Sequence, residues 1–148
     1  MKKNQMITLL SLFILICGLS TIYAEDATVG SSTFTLPDGY TVNQTNESVT
    51  MLTGENSVIV IYEGDVINLE DAKQARIDAG YEFIGEDTYD CDGISLNQQN
   101  FKKDNINACI YTFNKDNKNY IIVFTIPEGQ EIPSYEANPV TGIIDSLE

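Results

Sequence analysis

The sequence contains no histidine. Ser-His-Asp and Cys-His nucleophiles and histidine-ligated zinc or iron are therefore excluded, because each needs an imidazole as base or ligand. Basic side chains are scarce as well: 8 Lys and Arg stand against 22 Asp and Glu in 148 residues. Lys2 and Lys3 belong to the extreme N-terminus, so beyond residue 24 only Lys73, Arg76, Lys102, Lys103, Lys115 and Lys118 face all 22 acids, an excess of 16 negative charges. A surface of this kind repels phosphate backbones, which need clustered Lys and Arg, and excludes nucleic acid as a partner. It also disfavours anionic lipid headgroups. It can attract cations or a basic partner, but its ordinary effect is solubility through mutual repulsion.

Cysteine is sparse too. Apart from Cys17 there are only Cys91 and Cys109. An even count outside the cell favours a disulfide between them, and closing a ring of that size is worth about 3 kcal/mol in the chain-entropy model. Two buried, reduced thiols are the alternative. Neither cysteine is set up as a nucleophile, because thiolate chemistry needs a basic or cationic neighbour, whereas Asp90 and Asp92 flank Cys91.

What the chain does have begins at its N-terminus. Lys2 and Lys3 precede an almost unbroken apolar stretch from Met6 to Leu19, and Thr21-Ile22-Tyr23-Ala24 closes it with a small residue. Charge, apolar core and small-residue exit make residues 1–24 a secretory signal with cleavage after Ala24. Retention as a membrane anchor is the alternative, yet a spanning helix wants about 20 apolar residues, and Thr8, Ser11, Gly18, Ser20 and Thr21 dilute this one. Lipidation at Cys17 is a third option, against which Ile14-Leu15-Ile16 places no small residue before the cysteine. The protein is thus expected in the extracytoplasmic space, and residues beyond 24 suffice for one domain.

Along that domain, residues 25–32 are small and polar and read as a flexible lead. Phe34-Thr35-Leu36 alternates like a strand and runs into the turn Pro37-Asp38-Gly39. Val49 to Leu52 begins another strand, and Ser57 to Tyr62 is apolar at consecutive positions. Asn68 caps a helix from Leu69 to Ala79, with Glu70 and Asp71 in its first turn and Gly80 past its end. Leu69, Ala72, Ala75 and Ala79 share the face expected to lie on a sheet, with Lys73 and Arg76 pointing outward. Tyr81 to Ile84 and Thr88 to Leu96 suggest short strands, and Gln98 to Asn105 a polar loop. Asn107 to Phe113 and Tyr120 to Ile126 form the strongest hairpin, around a polar turn from Asn114 to Asn119. At the end, Asn138 as N-cap and Pro139 at the first helical position introduce Val140, Ile143, Ile144 and Leu147 on one face.

The runs Ser57–Tyr62 and Tyr120–Ile126 imply strands buried on both faces. The expected fold is α+β: an antiparallel sheet of five to seven strands, with helices packed on it on opposite faces, over residues 33–148.

This layout, with Phe34 to Tyr40 leading in and Ile143-Ile144-Asp145-Ser146-Leu147 closing, resembles the PsbP-like superfamily, which includes DcrB-type envelope proteins. The resemblance implies a compact scaffold that binds or stabilises a partner, without shared chemistry. It transfers no binding residue to this chain.

Two local constellations remain. Asp87, Asp90 and Asp92 precede Gly93 as alternating oxygen ligands open a calcium loop. A closing glutamate is missing, since Phe101 or Gln98 stands at its position, and a tight acidic turn is the simpler reading. Asn43-Gln44-Thr45 and Asn46-Glu47-Ser48 are adjacent glycosylation sequons. No catalytic motif or cofactor-binding pattern is found. The sequence points to a non-enzymatic binding or accessory module with a protein or cell-surface partner. The alternatives are a cation- or small-ligand-binding protein using Asp87 to Asp92, or the same fold held at the membrane by a retained signal anchor.

Overall fold

A computed structural model describes residues 25–127 and 129–148. The expected signal segment, with Cys17, lies outside the described residues. Strands β1 (Asp26–Val29) and β2 (Ser32–Thr35) pair as a small antiparallel hairpin. Seven more strands follow: β3 (Thr41–Thr45), β4 (Val49–Thr53), β5 (Val58–Gly64), β6 (Glu82–Cys91), β7 (Ile94–Lys103), β8 (Ile106–Lys115) and β9 (Lys118–Pro127). They form one antiparallel sheet in the order β3-β4-β5-β9-β8-β7-β6. Helix α1 (Leu69–Asp78) joins β5 to β6, and helix α2 (Pro139–Ser146) closes the chain.

The long hairpins are set by two-residue turns. Asp92 (φ 52°) and Gly93 (φ 85°) join β6 to β7, and Asp116 (φ 52°) and Asn117 (φ 62°) join β8 to β9. Two successive positive φ values give the turn whose twist matches the flanking strands, and Asp, Asn and Gly tolerate them best. Hence the turn between β8 and β9 is tighter than the expected break from Asn114 to Asn119. Residues Gln98 to Asn105 also differ from expectation: most of them belong to β7, where Gln98 and Gln99 are buried. Gln98 Nε2 donates to Asn100 Oδ1 (2.9 Å) and Gln99 Nε2 to the Leu69 carbonyl (3.4 Å), which offsets the loss of water.

One face of the sheet is fully covered. Leu52, Ile59, Ile61, Leu96, Cys109, Tyr111, Phe113, Ile122 and Phe124 pack there against Ala27, Val29 and Phe34 from the small hairpin and Val140, Ile143, Ile144 and Leu147 from the C-terminal helix. Residues 25–32 are therefore no flexible lead. Alternation in β1 buries Ala27 and Val29, and Thr33 exchanges backbone hydrogen bonds with Glu148. The helix α2 forms as its sequence dictates: the Asn138 side chain accepts from the Val140 amide (2.8 Å), with Pro139 at the first helical position.

The other face departs from expectation. No residue of α1 is buried, and the helix contacts this face only on its β6–β7–β8 side, at Phe83, Phe101 and Gln99. Ala75 and Ala79, expected on the sheet-facing side, are exposed. Instead Arg76 lies over the Phe101 ring at 5.6 Å and Lys73 over Phe83 at 5.1 Å, so these two cations point toward the sheet instead of outward.

Candidate functional site

Because β4, β5, β9 and β8 are in register, Met51, Val60, Val123 and Ile110 line up in one row across the second face. Tyr62 and Ile121 lie in the row on one side, and Val58, Thr125 and Ala108 in the row on the other. Of these, only Ala108 and Ile110 are buried; the rest are half-exposed. The runs that promised double burial thus present an apolar surface with no covering layer among the described residues.

Its margin is aromatic and cationic. Phe101 is wholly buried beneath Tyr81 and Phe83, whose rings meet it edge-on at 6.4 Å and 5.5 Å. Lys103 sits over the Tyr81 ring at 4.9 Å and donates to the Ala79 carbonyl at 2.7 Å, anchoring the end of α1. Lys73 pairs with Glu70 at 2.7 Å and approaches Glu86 at 3.8 Å. Arg76 differs. Among the described residues no carboxylate pairs with it and no acceptor takes its hydrogen bonds. Burial lowers its pKa, which Tyr81 opposes. With Tyr81, Ala108, Ile110, Val123 and Thr125 it lines a hollow of about 180 Å³.

A second constellation joins residues far apart in sequence. The Ser32 hydroxyl contacts Glu63 Oε2 (2.7 Å), the Tyr120 hydroxyl (2.7 Å) and Lys118 Nζ (2.8 Å). Serine beside lysine is a nucleophile pattern, but general-base work needs a neutral amine. Here Lys118 Nζ donates to the Ser32 hydroxyl, and Ser32 is only 1 % exposed. The cluster fastens the β1–β2 turn to the sheet. Glu63, Lys118 and Tyr120 lie 31 to 88 residues from Ser32, so no local motif could have announced it.

The expected sites separate. Cys91 and Cys109 are free thiols. They sit in β6 and β8 with β7 between them, and two strand spacings of about 4.8 Å already exceed the roughly 7 Å between Cα atoms that a disulfide tolerates. The expected bond is corrected accordingly. Asp87, Asp90 and Asp92 are all exposed. Asp87 and Asp90 alternate to opposite sides of β6, and Asp90 Oδ1 accepts from the Gly93 amide (3.1 Å) within the turn. Asp90 and Asp92 border a hollow of about 460 Å³ with Glu136 and Asp145, beside the stacked rings of Tyr89 and Tyr135. Among the described residues no three His, Cys, Asp or Glu side chains are grouped for a metal. Asn43 and Asn46 are both exposed; Asn43 Nδ2 donates to Thr53 Oγ1 (3.1 Å), and Asn46 Oδ1 accepts from the Ser48 and Val49 amides.

No protein-family model matches the chain, and no curated protein sequence matches it. Its structure is similar to the solution structure of cyanobacterial PsbP (CyanoP) from Synechocystis sp. PCC 6803. The similarity covers 87% of this chain and 95% of that one, at 12% identity and a TM-score of 0.54. The protein has a PsbP-like fold.

Proposed function

We propose that this chain is a non-enzymatic accessory module of the extracytoplasmic space, released after Ala24, that docks a protein on the uncovered face of its seven-stranded sheet. One observation carries the reading: Met51, Val58, Val60, Ile121 and Val123 form a continuous half-exposed apolar surface, while the opposite face has a complete core. A contiguous patch of this kind on a secreted domain costs solubility and marks an interaction site. The Ser32 cluster is buried and fastens the β1–β2 turn, and Asp90 beside the acidic hollow is engaged by the Gly93 amide, so the open face is the better-supported site. The PsbP-like fold agrees with a scaffold role. Asn43 and Asn46 are exposed and are available as glycan acceptors in a host that modifies asparagine; Asn43 borders the docking rows through Thr53, the cross-strand partner of Val58.

Photo-crosslinking residues at Val60, Val123 and, as control, Asn117 in the β8–β9 turn test this in the producing cell. A specific protein adduct from Val60 and Val123, absent from Asn117, is expected. No adduct at all, or the same adducts from all three positions, overturns the docking role.

A further inference from the structure

We propose that the uncovered face receives an amphipathic helix of a partner protein whose apolar stripe is flanked by Asp or Glu, one carboxylate pairing with Arg76. The inference rests on the docking reading above and specifies its partner.

Width argues for a helix. From β4 to β9 the open strip spans two strand spacings, about 10 Å, which matches the 10–12 Å diameter of one helix with its side chains. The Met51-Val60-Val123-Ile110 row gives that helix an apolar floor across the strands.

Charge argues for the flank. Arg76 is a guanidinium at the border of this floor, stacked over Phe101 and facing the hollow with Ala108, Ile110 and Val123. Its neighbours on that margin are already engaged, Lys73 by Glu70 and Lys103 by the Ala79 carbonyl. Covering the hollow with apolar groups alone would strand the charge, at a cost that a paired carboxylate removes. Arginine also takes a carboxylate through two parallel hydrogen bonds. A second copy laid face to face offers no acid from its floor, since the rows from Val58 to Tyr62, Ile121 to Thr125 and Ala108 to Thr112 on this side hold none, and its margin carboxylates Glu70 and Glu86 already face Lys73.

The test uses three synthetic peptides of about 18 residues, roughly 27 Å as a helix, sharing one leucine stripe and flanked by Glu, Gln or Lys. Each is titrated into the full chain by fluorescence anisotropy. The Glu peptide is expected to bind saturably and about tenfold tighter than the Gln peptide, with the Lys peptide weakest. Arg76→Gln should erase the Glu-over-Gln preference, and Arg76→Lys should restore part of it. The comparison among peptides on the unmodified chain stands even if a variant misfolds. Equal binding of the Glu and Gln peptides, or a preference that survives Arg76→Gln, overturns the carboxylate. Failure of all three peptides while Val60 and Val123 still crosslink a protein overturns the helix and leaves the docking reading intact. Sedimentation as a dimer that Val60→Asp abolishes, or capture by phosphatidylglycerol vesicles through the same face, overturns the proposed occupant.

Discussion

Ile122 and Val123 are consecutive in β9 and meet opposite surroundings. Ile122 is wholly buried between the sheet and the layer formed by β1, β2 and α2, whereas Val123 faces outward, half-exposed, beside Val60. Ile122→Asp should therefore unfold the domain, since an unpaired buried charge costs several kcal/mol against a total of roughly 5–15 kcal/mol. Val123→Asp or Val60→Asp should cost only about 1 kcal/mol, the span of strand preference on an open face. Thermal melts of the three variants check this. If Val123→Asp proves as damaging as Ile122→Asp, the second face is covered after all.

The Asn138 side chain performs two tasks. Its oxygen caps α2 at the Val140 amide, and its amide donates to the buried Tyr111 hydroxyl. Asn138→Ala should lose about 1 kcal/mol of capping and about 1–3 kcal/mol more for an orphaned buried hydroxyl. Asn138→Asp keeps the cap acceptor and should lie between wild type and alanine in denaturant midpoint. An alanine variant as stable as wild type would show that the helix is held by packing alone.

Acid stability should report Glu63. Burial favours its protonated form, but hydrogen bonds from Ser32 and Ser31 and the charge of Lys118 outweigh this and hold its pKa below the usual 4.5. A folded-state pKa below the unfolded one adds stability above the unfolded value and loses it as pH falls through the folded one. The difference in melting temperature between wild type and Glu63→Gln should thus be constant from neutral pH to about 5 and shrink below 4.5. A difference unchanged down to pH 2 would remove Glu63 from the account.

The two thiols should behave unequally. Cys109 is wholly buried, and burial pushes its thiol up to about 11, so little thiolate is present at neutral pH. Cys91 is half-exposed at the end of β6. Under native, non-reducing conditions iodoacetamide should modify Cys91 first and reach Cys109 only after unfolding. Peptide mapping checks this, and a Cys91–Cys109 linked peptide would show that the strand order is wrong.

The strand content, the caps at Asn68 and Asn138 and the apolar stripe of α2 were legible because each rests on a local pattern with a mechanism. The openness of the second face was not. An apolar run such as Tyr120 to Ile126 is compatible with two covered faces, and only the tertiary arrangement reveals that α1 lies over the β7–β8 side of the second face and leaves the rows of β5 and β9 partly exposed. Helical periodicity groups Arg76 with polar, outward positions, yet its long stem allows it to lie over Phe101. The polarity of Gln98 and Gln99 signals a loop in local sequence, although their amides find partners inside the fold. The four residues around Ser32 carry no short-range signal at all, which is the ordinary limit of reading contacts between distant segments.

Ions provide the last test. With 22 acidic side chains against six basic ones beyond residue 24, mutual repulsion should make the domain more stable as salt rises. Asp87 and Asp90 lie on opposite sides of β6, and Asp90 is occupied by the Gly93 amide, so calcium should act through ionic strength alone. Sodium and calcium chloride matched for ionic strength should then raise the melting temperature by nearly equal amounts, with no plateau at low calcium. Bound calcium would instead stabilise through mass action, saturating near its dissociation constant. A plateau below millimolar calcium that vanishes in Asp90→Asn with Asp92→Asn would establish a cation site at the β6–β7 turn and place ligand binding ahead of docking as the function of this chain.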